Sequence, residues 1–289
     1  MTWKAYQVVF KLKSPMHIGC GKIGNVQRTR PYVTGRVFWG ALTMRLTRDK
    51  HQPATESEQY QAIGDEVHQQ LAYTYFYPAT KSEDGYKIAL PWQNDNLFRR
   101  RFLSSYASTA LMYPQQAADE GLLHEVEFIS PRTLDRGEQV YLVGYVFEKE
   151  DCDLAWQEAC QKLQMGGERG YGWGDLQYVK IEKITDTKQL FNTNYSWQEQ
   201  NGSLVIQTLE NSRLLAHTKT TDNLSAQGEI EPLVGREWRS HNKDSQGNRV
   251  NYHAGQYIEY SGLCWVPGSV AERSLDFVIR DFGIWDLPT

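Results

Sequence analysis

Gly166-Gly167-Glu168-Arg169-Gly170-Tyr171-Gly172-Trp173-Gly174 sets five glycines, one arginine and two aromatic rings in nine residues. Glycine loses more backbone freedom on ordering than any other residue, so this density implies chain that adopts positive φ or lies close to another molecule. A binding loop is the expectation. Upstream, residues 153–164 (DLAWQEACQKLQ) set Leu154, Ala155, Ala159 and Leu163 along one helical face. Downstream, residues 176–181 alternate as a strand does. The loop therefore joins a helix to a strand.

Residues 6–13 carry β-branched and aromatic side chains in an alternating pattern, a first strand that Ser14-Pro15 ends. Residues 16–25 read as a glycine-punctuated loop and 28–35 as extended chain through Pro31 and Gly35. A helix is predicted over 37–47, with Val37, Trp39, Ala41, Met44 and Leu46 available for burial and Arg45 and Arg48 late in it, where cations complement the helix dipole. Further helices are predicted over 59–71 and 95–112, and a strand hairpin over 125–129 and 139–147.

This order predicts an α+β fold with a ferredoxin-like (RRM-like) βαββαβ core in residues 1–184, a helical insertion over about 50–122, and one open sheet face. Residues 185–202 read as a linker. Strand-like runs at 203–209, 256–266 and 275–284 make 185–289 a β-rich C-terminal region, either a degenerate second ferredoxin-like unit or an elaboration on the first.

The 289 residues are 40% hydrophobic and 12% aromatic, enough for one core or two modest ones. The net charge of −4 conceals a segregation: residues 11–48 hold eight Lys and Arg side chains and no Asp or Glu. Such a run makes either a local positive field facing a polyanion or a face whose acidic partners come from other segments. No apolar run reaches membrane-spanning length and the start lacks the apolar stretch of a secretory signal, so a cytoplasmic protein with no membrane partner is expected. Cys20, Cys152, Cys160 and Cys264 show no CxxC spacing, which points to reduced thiols and no metal site. No cofactor is expected either. Gly19-Cys20-Gly21-Lys22-Ile23-Gly24 formally fits GxGxxG, but extended chain follows it and the next acid is Asp49, so the helix and the ribose-binding acid are missing.

Arg169-Gly170-Tyr171-Gly172-Trp173 resembles the opening of the RNP1 signature of RRM domains, although it follows a helix and precedes the last strand of the core. Glycine backbone admits phosphates, Arg169 adds charge, and Tyr171 or Trp173 offers a stacking face; the alternative is a tight turn around two buried rings. His17 is the only histidine in the basic loop, either a packing residue or a general base for metal-independent RNA cleavage.

Two segments together resemble the RAMP superfamily of CRISPR-associated proteins. Ser14-Pro15-Met16-His17-Ile18-Gly19-Cys20-Gly21, continuing through Arg30-Pro31-Tyr32-Val33-Thr34-Gly35 to Gly40-Ala41-Leu42, is similar to the superfamily's SPLHIGSG…YIPGS…KGAL beginning. The glycine loop is similar to its GGxxGxG element before the last strand, and the resemblance covers about residues 5–182. It implies a crRNA-binding subunit of a type III effector complex, with crRNA, target RNA and other effector subunits as partners. Lys22, Arg28, Arg30, Arg36 and Arg45 would hold phosphates. Gly166, Gly167, Arg169, Gly170, Tyr171, Gly172, Trp173 and Gly174 would hold the handle or guide, and the insertion, with Tyr75, Phe76, Trp92 and Arg99, would contact a neighbour or displace a base. Backbone subunits of such complexes carry a catalytic aspartate after the first strand, whereas residues 19–36 here contain no acid, only Asn25 and Gln27. That departure favours a non-cutting subunit capping one end of the crRNA filament. The alternative is a metal-independent endoribonuclease that processes repeat RNA, with His17 as base.

Overall fold

Strand β1 (Trp3–Leu12) sends Tyr6, Val8, Phe10 and Leu12 to one face and Ala5 and Val9 to the other, and all but Tyr6 are buried. A strand apolar on both faces belongs in the middle of a covered sheet. The structure, a computed structural model, places it there; it describes residues 2–113, 117–118, 121–185, 189–191, 193, 195–239, 242–243, 246, 249–250 and 255–288.

After the hairpin β2 (Gly19–Ile23) and β3 (Val26–Thr29) come helices α1 (Gly35–Lys50) and α2 (Ser57–Gln70) and strand β4 (Tyr77–Ser82). Strands β5 (Leu103–Ser108), β6 (His124–Ile129) and β7 (Tyr141–Lys149) follow, then helix α3 (Trp156–Cys160), the glycine loop and β8 (Leu176–Lys183). The longest strands of the C-terminal region are β9 (Ile230–Glu237) and β10 (Tyr257–Trp265). The main sheet runs β8-β1-β7-β4 with every pair antiparallel, and α1, α2 and α3 supply Phe38, Leu42, Ile63, Val67 and Trp156 to one side of it. The fold is α+β.

The other side of that sheet was expected to be open. It is covered: Tyr77, Tyr145 and Phe147 pack with Leu204, Ile206, Phe277 and Trp285 of an eight-stranded sheet built by the C-terminal region. Tyrosine suits this face because each hydroxyl finds a partner across the junction. Tyr77 Oη donates to the Leu215 carbonyl at 2.6 Å, Tyr75 Oη meets His217 Nδ1 at 2.7 Å, and Phe191 N donates to Tyr145 Oη at 2.9 Å. A buried hydroxyl left unpaired would cost about 1–3 kcal/mol. Base stacking on this sheet in the RRM manner is therefore unavailable.

Five local expectations change with the structure. Residues 125–129 and 139–147 do not form a hairpin: β6 lies in a second sheet, β2-β3-β6-β5, parallel to β3, whereas β7 is central in the main sheet. The unbroken burial of residues 142–147 is the mark of a central strand, which β6 lacks. The stretch read as a helical insertion contains β4 of the main sheet, so Tyr75 and Phe76 are core residues and not neighbour contacts. The helix predicted over 95–112 spans Asp95–Phe102, capped by the Asn94 side chain, and gives way directly to β5. Finally, much of the loop at 16–25 is the β2–β3 hairpin, and the linker at 185–202 contains strands Gln189–Leu190 and Tyr195–Gln200, residues 186–188, 192 and 194 lying outside the described ones.

Among the described residues no helix is long and apolar enough to cross a membrane. Because Phe147 joins the main sheet to the C-terminal one, Phe147→Ala should cost about 3–5 kcal/mol in urea unfolding followed by tryptophan fluorescence. A single transition is expected, and a variant that melts only the C-terminal region would contradict a shared core.

Candidate nucleic-acid interface

The glycine loop closes on the chain that leaves β1. Gly167 N donates to the His17 carbonyl at 2.8 Å and Gly174 N to the Pro15 carbonyl at 2.7 Å. Side chains are excluded at two of its positions: a Cβ at Gly166 would stand 2.5 Å from the His17 oxygen and one at Gly174 only 1.8 Å from the Met165 oxygen, both at positive φ. These glycines let the chain approach itself. Gly170 differs, since a Cβ there would meet nothing within 4 Å.

With α1 as floor and β9 as far wall, this arrangement encloses a cleft of about 630 Å³. Among the described residues five arginines line it, Arg30, Arg36, Arg48, Arg169 and Arg236, against one carboxylate, Glu237. They fall into two groups. Arg30 is bound to Glu231 at 2.7 Å, and Arg36 to Glu237 at 2.6 Å with its guanidinium 3.7 Å over the Phe282 ring and across Gly235, where no side chain would fit. Glu237 also accepts from Arg239, so the cleft's one acid is already neutralised. Arg48, Arg169 and Arg236 are exposed and make no ion pair among the described residues; Arg169 rests on Met44 Sδ and Arg236 donates to the Gly255 carbonyl. Tyr60 and Trp238 add a half-buried ring pair 5.8 Å apart.

A second groove, about 700 Å³, lies beside the β2–β3 hairpin and takes Lys22, Arg28, Arg30, Arg99 and Arg213 with Trp92. Arg28 is held by Glu127 at 2.9 Å, and that carboxylate also accepts from Thr29 N. Arg30 borders both spaces. Arg45 borders neither and is tied to Asp49 one turn on in α1. Of the two aromatic residues in the glycine loop, Tyr171 is 82% exposed, whereas Trp173 is half-buried edge-on against Phe128.

Thus Gly166, Gly167, Arg30, Arg36 and Arg169 come together, while Lys22 and Arg28 lie on the other side of Arg30. The acid-free run of residues 11–48 meets its carboxylates in space from Glu127, Glu231 and Glu237. Sequence reasoning missed Tyr60 of α2, Arg236 and Trp238 as cleft residues; no local pattern marks the last two, because β9 and the residue after it reach the cleft from about 200 residues downstream of α1.

Behind Arg30 sits a buried chain of polar groups. Tyr75 O–H donates to His217 Nδ1, and His217 Nε2–H donates to Glu231 Oε1 at 2.6 Å. Burial alone would raise the Glu231 carboxyl, but hydrogen bonds from His217 and Arg30 outweigh it and hold it at about 2. Burial pushes His217 down from the ordinary histidine value.

Comparison with known proteins gives no match to a family model and none to a curated protein. Among solved structures, the chain is similar to one in the Type III-B Cmr-beta complex bound to cognate target RNA and AMPPnP, with TM-score 0.46 and 10% identity over 92% of this chain and 86% of that one. It is also similar to one in the Type III-B Cmr-beta complex bound to cognate target RNA, with TM-score 0.39 and 10% identity over 62% and 96%. Oligomeric Cmr4 from Pyrococcus furiosus gives TM-score 0.33 and 14% identity over 64% and 100%. At these scores the likeness is one of loose shape.

His217 and Glu231 both bind fewer protons in the folded chain than in the unfolded one, so stability is complete above about pH 6.5 and falls as pH drops, first through the histidine range and then below about 4.5. Glu231→Gln should lower the melting temperature at neutral pH, by leaving Arg30 unpaired, and flatten the limb below about pH 4.5. Melting curves from pH 3 to 8 check this; a variant with the wild-type acid limb would contradict it.

Proposed function

We propose that this chain is an RNA-holding subunit of a type III CRISPR ribonucleoprotein effector complex, a RAMP-superfamily protein that grips crRNA in the cleft between its glycine loop and α1. One observation carries the reading. The two segments that resemble the superfamily, residues 14–21 and 166–174, lie more than a hundred residues apart in sequence, yet they are hydrogen-bonded to each other and form one wall of a cleft rimmed by arginines with no ion-pair partner among the described residues. Cations held apart without counter-ions are what a phosphate backbone neutralises. The ferredoxin-like reading of residues 1–184 is supported by the order β8-β1-β7-β4, all antiparallel, with helices following β1 and β7.

The subunit holds RNA without cutting it. Among the described residues the only carboxylate lining the cleft, Glu237, is engaged by Arg36 and Arg239, and no acid occurs between Gly19 and Arg36. A subunit of this kind fits one end of a crRNA filament, with target RNA and other effector subunits as its partners. A second reading, a metal-independent endoribonuclease of repeat RNA, is favoured by one observation: His17 lines the cleft. Incubation with repeat RNA in EDTA separates the two, since binding without cutting supports the holding role, and cutting abolished by His17→Ala supports the nuclease.

The rim arginines should set the salt dependence. Each phosphate contact on a single strand contributes about 0.7 to the slope of log affinity against log salt, so Arg48→Ala with Arg169→Ala should lower that slope by about 1.4 and weaken crRNA binding at least tenfold. Arg28→Ala, which removes the closest of Glu127's cationic partners and leaves it Arg99 at 3.7 Å, should lower the melting temperature with less change in slope. Filter binding from 50 to 300 mM salt decides, and an unchanged slope in the double variant would contradict the assignment.

A further inference from the structure

One ring in the cleft has its hydrogen-bonding sense fixed by the backbone. His17 Nδ1 lies 2.7 Å from the Glu127 carbonyl oxygen. A carbonyl only accepts, so Nδ1 carries the proton, and in the neutral ring Nε2 is left as an acceptor. Nε2 has no partner among the described residues and is not one of the atoms sealed from solvent. The residue is only 6% exposed, so what it presents to the cleft is an edge.

Two glycines frame that edge. A Cβ at Gly19 would come 3.2 Å from Nε2, and one at Gly167 would come 3.2 Å from Cδ2. Neither glycine has a positive φ that would exclude other residues, so what their missing side chains provide is access to the ring.

We propose that His17 Nε2 accepts the hydrogen bond of a ribose 2′-hydroxyl, so that this ring is where the cleft distinguishes RNA from single-stranded DNA. The proposal rests on the cleft holding a nucleic-acid strand. Among the described residues the charged groups that line the cleft, apart from the engaged Glu237, are arginines, which only donate, and they match the acceptor oxygens of phosphates. An acceptor set among donors selects a donor on the ligand. The sugar–phosphate backbone of DNA has no such group, whereas RNA offers a 2′-hydroxyl at every nucleotide, independent of base sequence. Reading this group requires only the fixed ring, whereas cutting would also require a proton donor for the leaving oxygen.

The test uses the full chain with one RNA oligonucleotide and the DNA of the same sequence. Wild type should prefer RNA, and His17→Ala should weaken RNA binding about three- to tenfold, the range for one neutral hydrogen bond, while leaving DNA binding unchanged. Gly19→Ala keeps the ring but sets a methyl against Nε2, and it should reproduce the loss in a chain whose fold is intact. Single 2′-deoxy substitutions along the RNA should reveal one sensitive position in wild type that is no longer sensitive in His17→Ala. Equal losses for RNA and DNA, or no sensitive position, would overturn the proposal. A wild-type chain that binds neither strand would instead overturn the RNA-holding function and the proposal with it.

Discussion

The cleft depends on a backbone clasp between the glycine loop and the segment that leaves β1. Two N–H groups of the loop donate to the carbonyls of Pro15 and His17. The two chains come this close because residue 166 has no side chain to strike the His17 oxygen, and the loop folds on itself because residue 174 has none to strike Met165. Once closed, the clasp places Arg169 over Met44 of α1 and brings the His17 edge to the same space. The density of glycine in the loop is thus spent first on self-packing, and Gly170 and Tyr171, outside the clasp, stay open to a partner.

Charge organises the rest. Most of the arginines nearest the middle of the molecule are structural: Arg28, Arg30 and Arg36 each hold a carboxylate that belongs to a distant strand, and in doing so they fasten the N-terminal hairpin and α1 to β6 and β9. These pairs are partly buried, and removing one partner leaves the other charge uncompensated, so these side chains are poorly placed to let go and meet a phosphate. The exposed Arg48, Arg169 and Arg236 carry no such commitment among the described residues. A polyanion entering the cleft meets uncommitted charge at the rim and neutralised charge within.

Local signals in the sequence carried well where they were strong. β1, α1, α2 and the helix–loop–strand joint around residues 156–183 follow from periodicity, from Pro and Gly punctuation and from the composition of the loop. What failed depends on partners far along the chain. Residues 125–129 look like a hairpin partner for 139–147, and only the pairing of β7 with β1 and β4 shows otherwise. One sheet face reads as open until a second sheet, built from residue 189 onward, covers it. In the site, the glycine loop, His17 and Arg169 were legible from motif and composition. Arg236 and Trp238 were not, because they enter on, and just after, a strand whose own pattern says only that it is half-exposed.

The most direct test of the central claim is where RNA touches the chain. Photo-crosslinking with 4-thiouridine-substituted crRNA, followed by mass spectrometry of the peptides, should place the contacts in residues 166–174, in α1 and in β9. Crosslinks confined to the β2–β3 hairpin or to residues 103–113, with none from the cleft, would contradict the account.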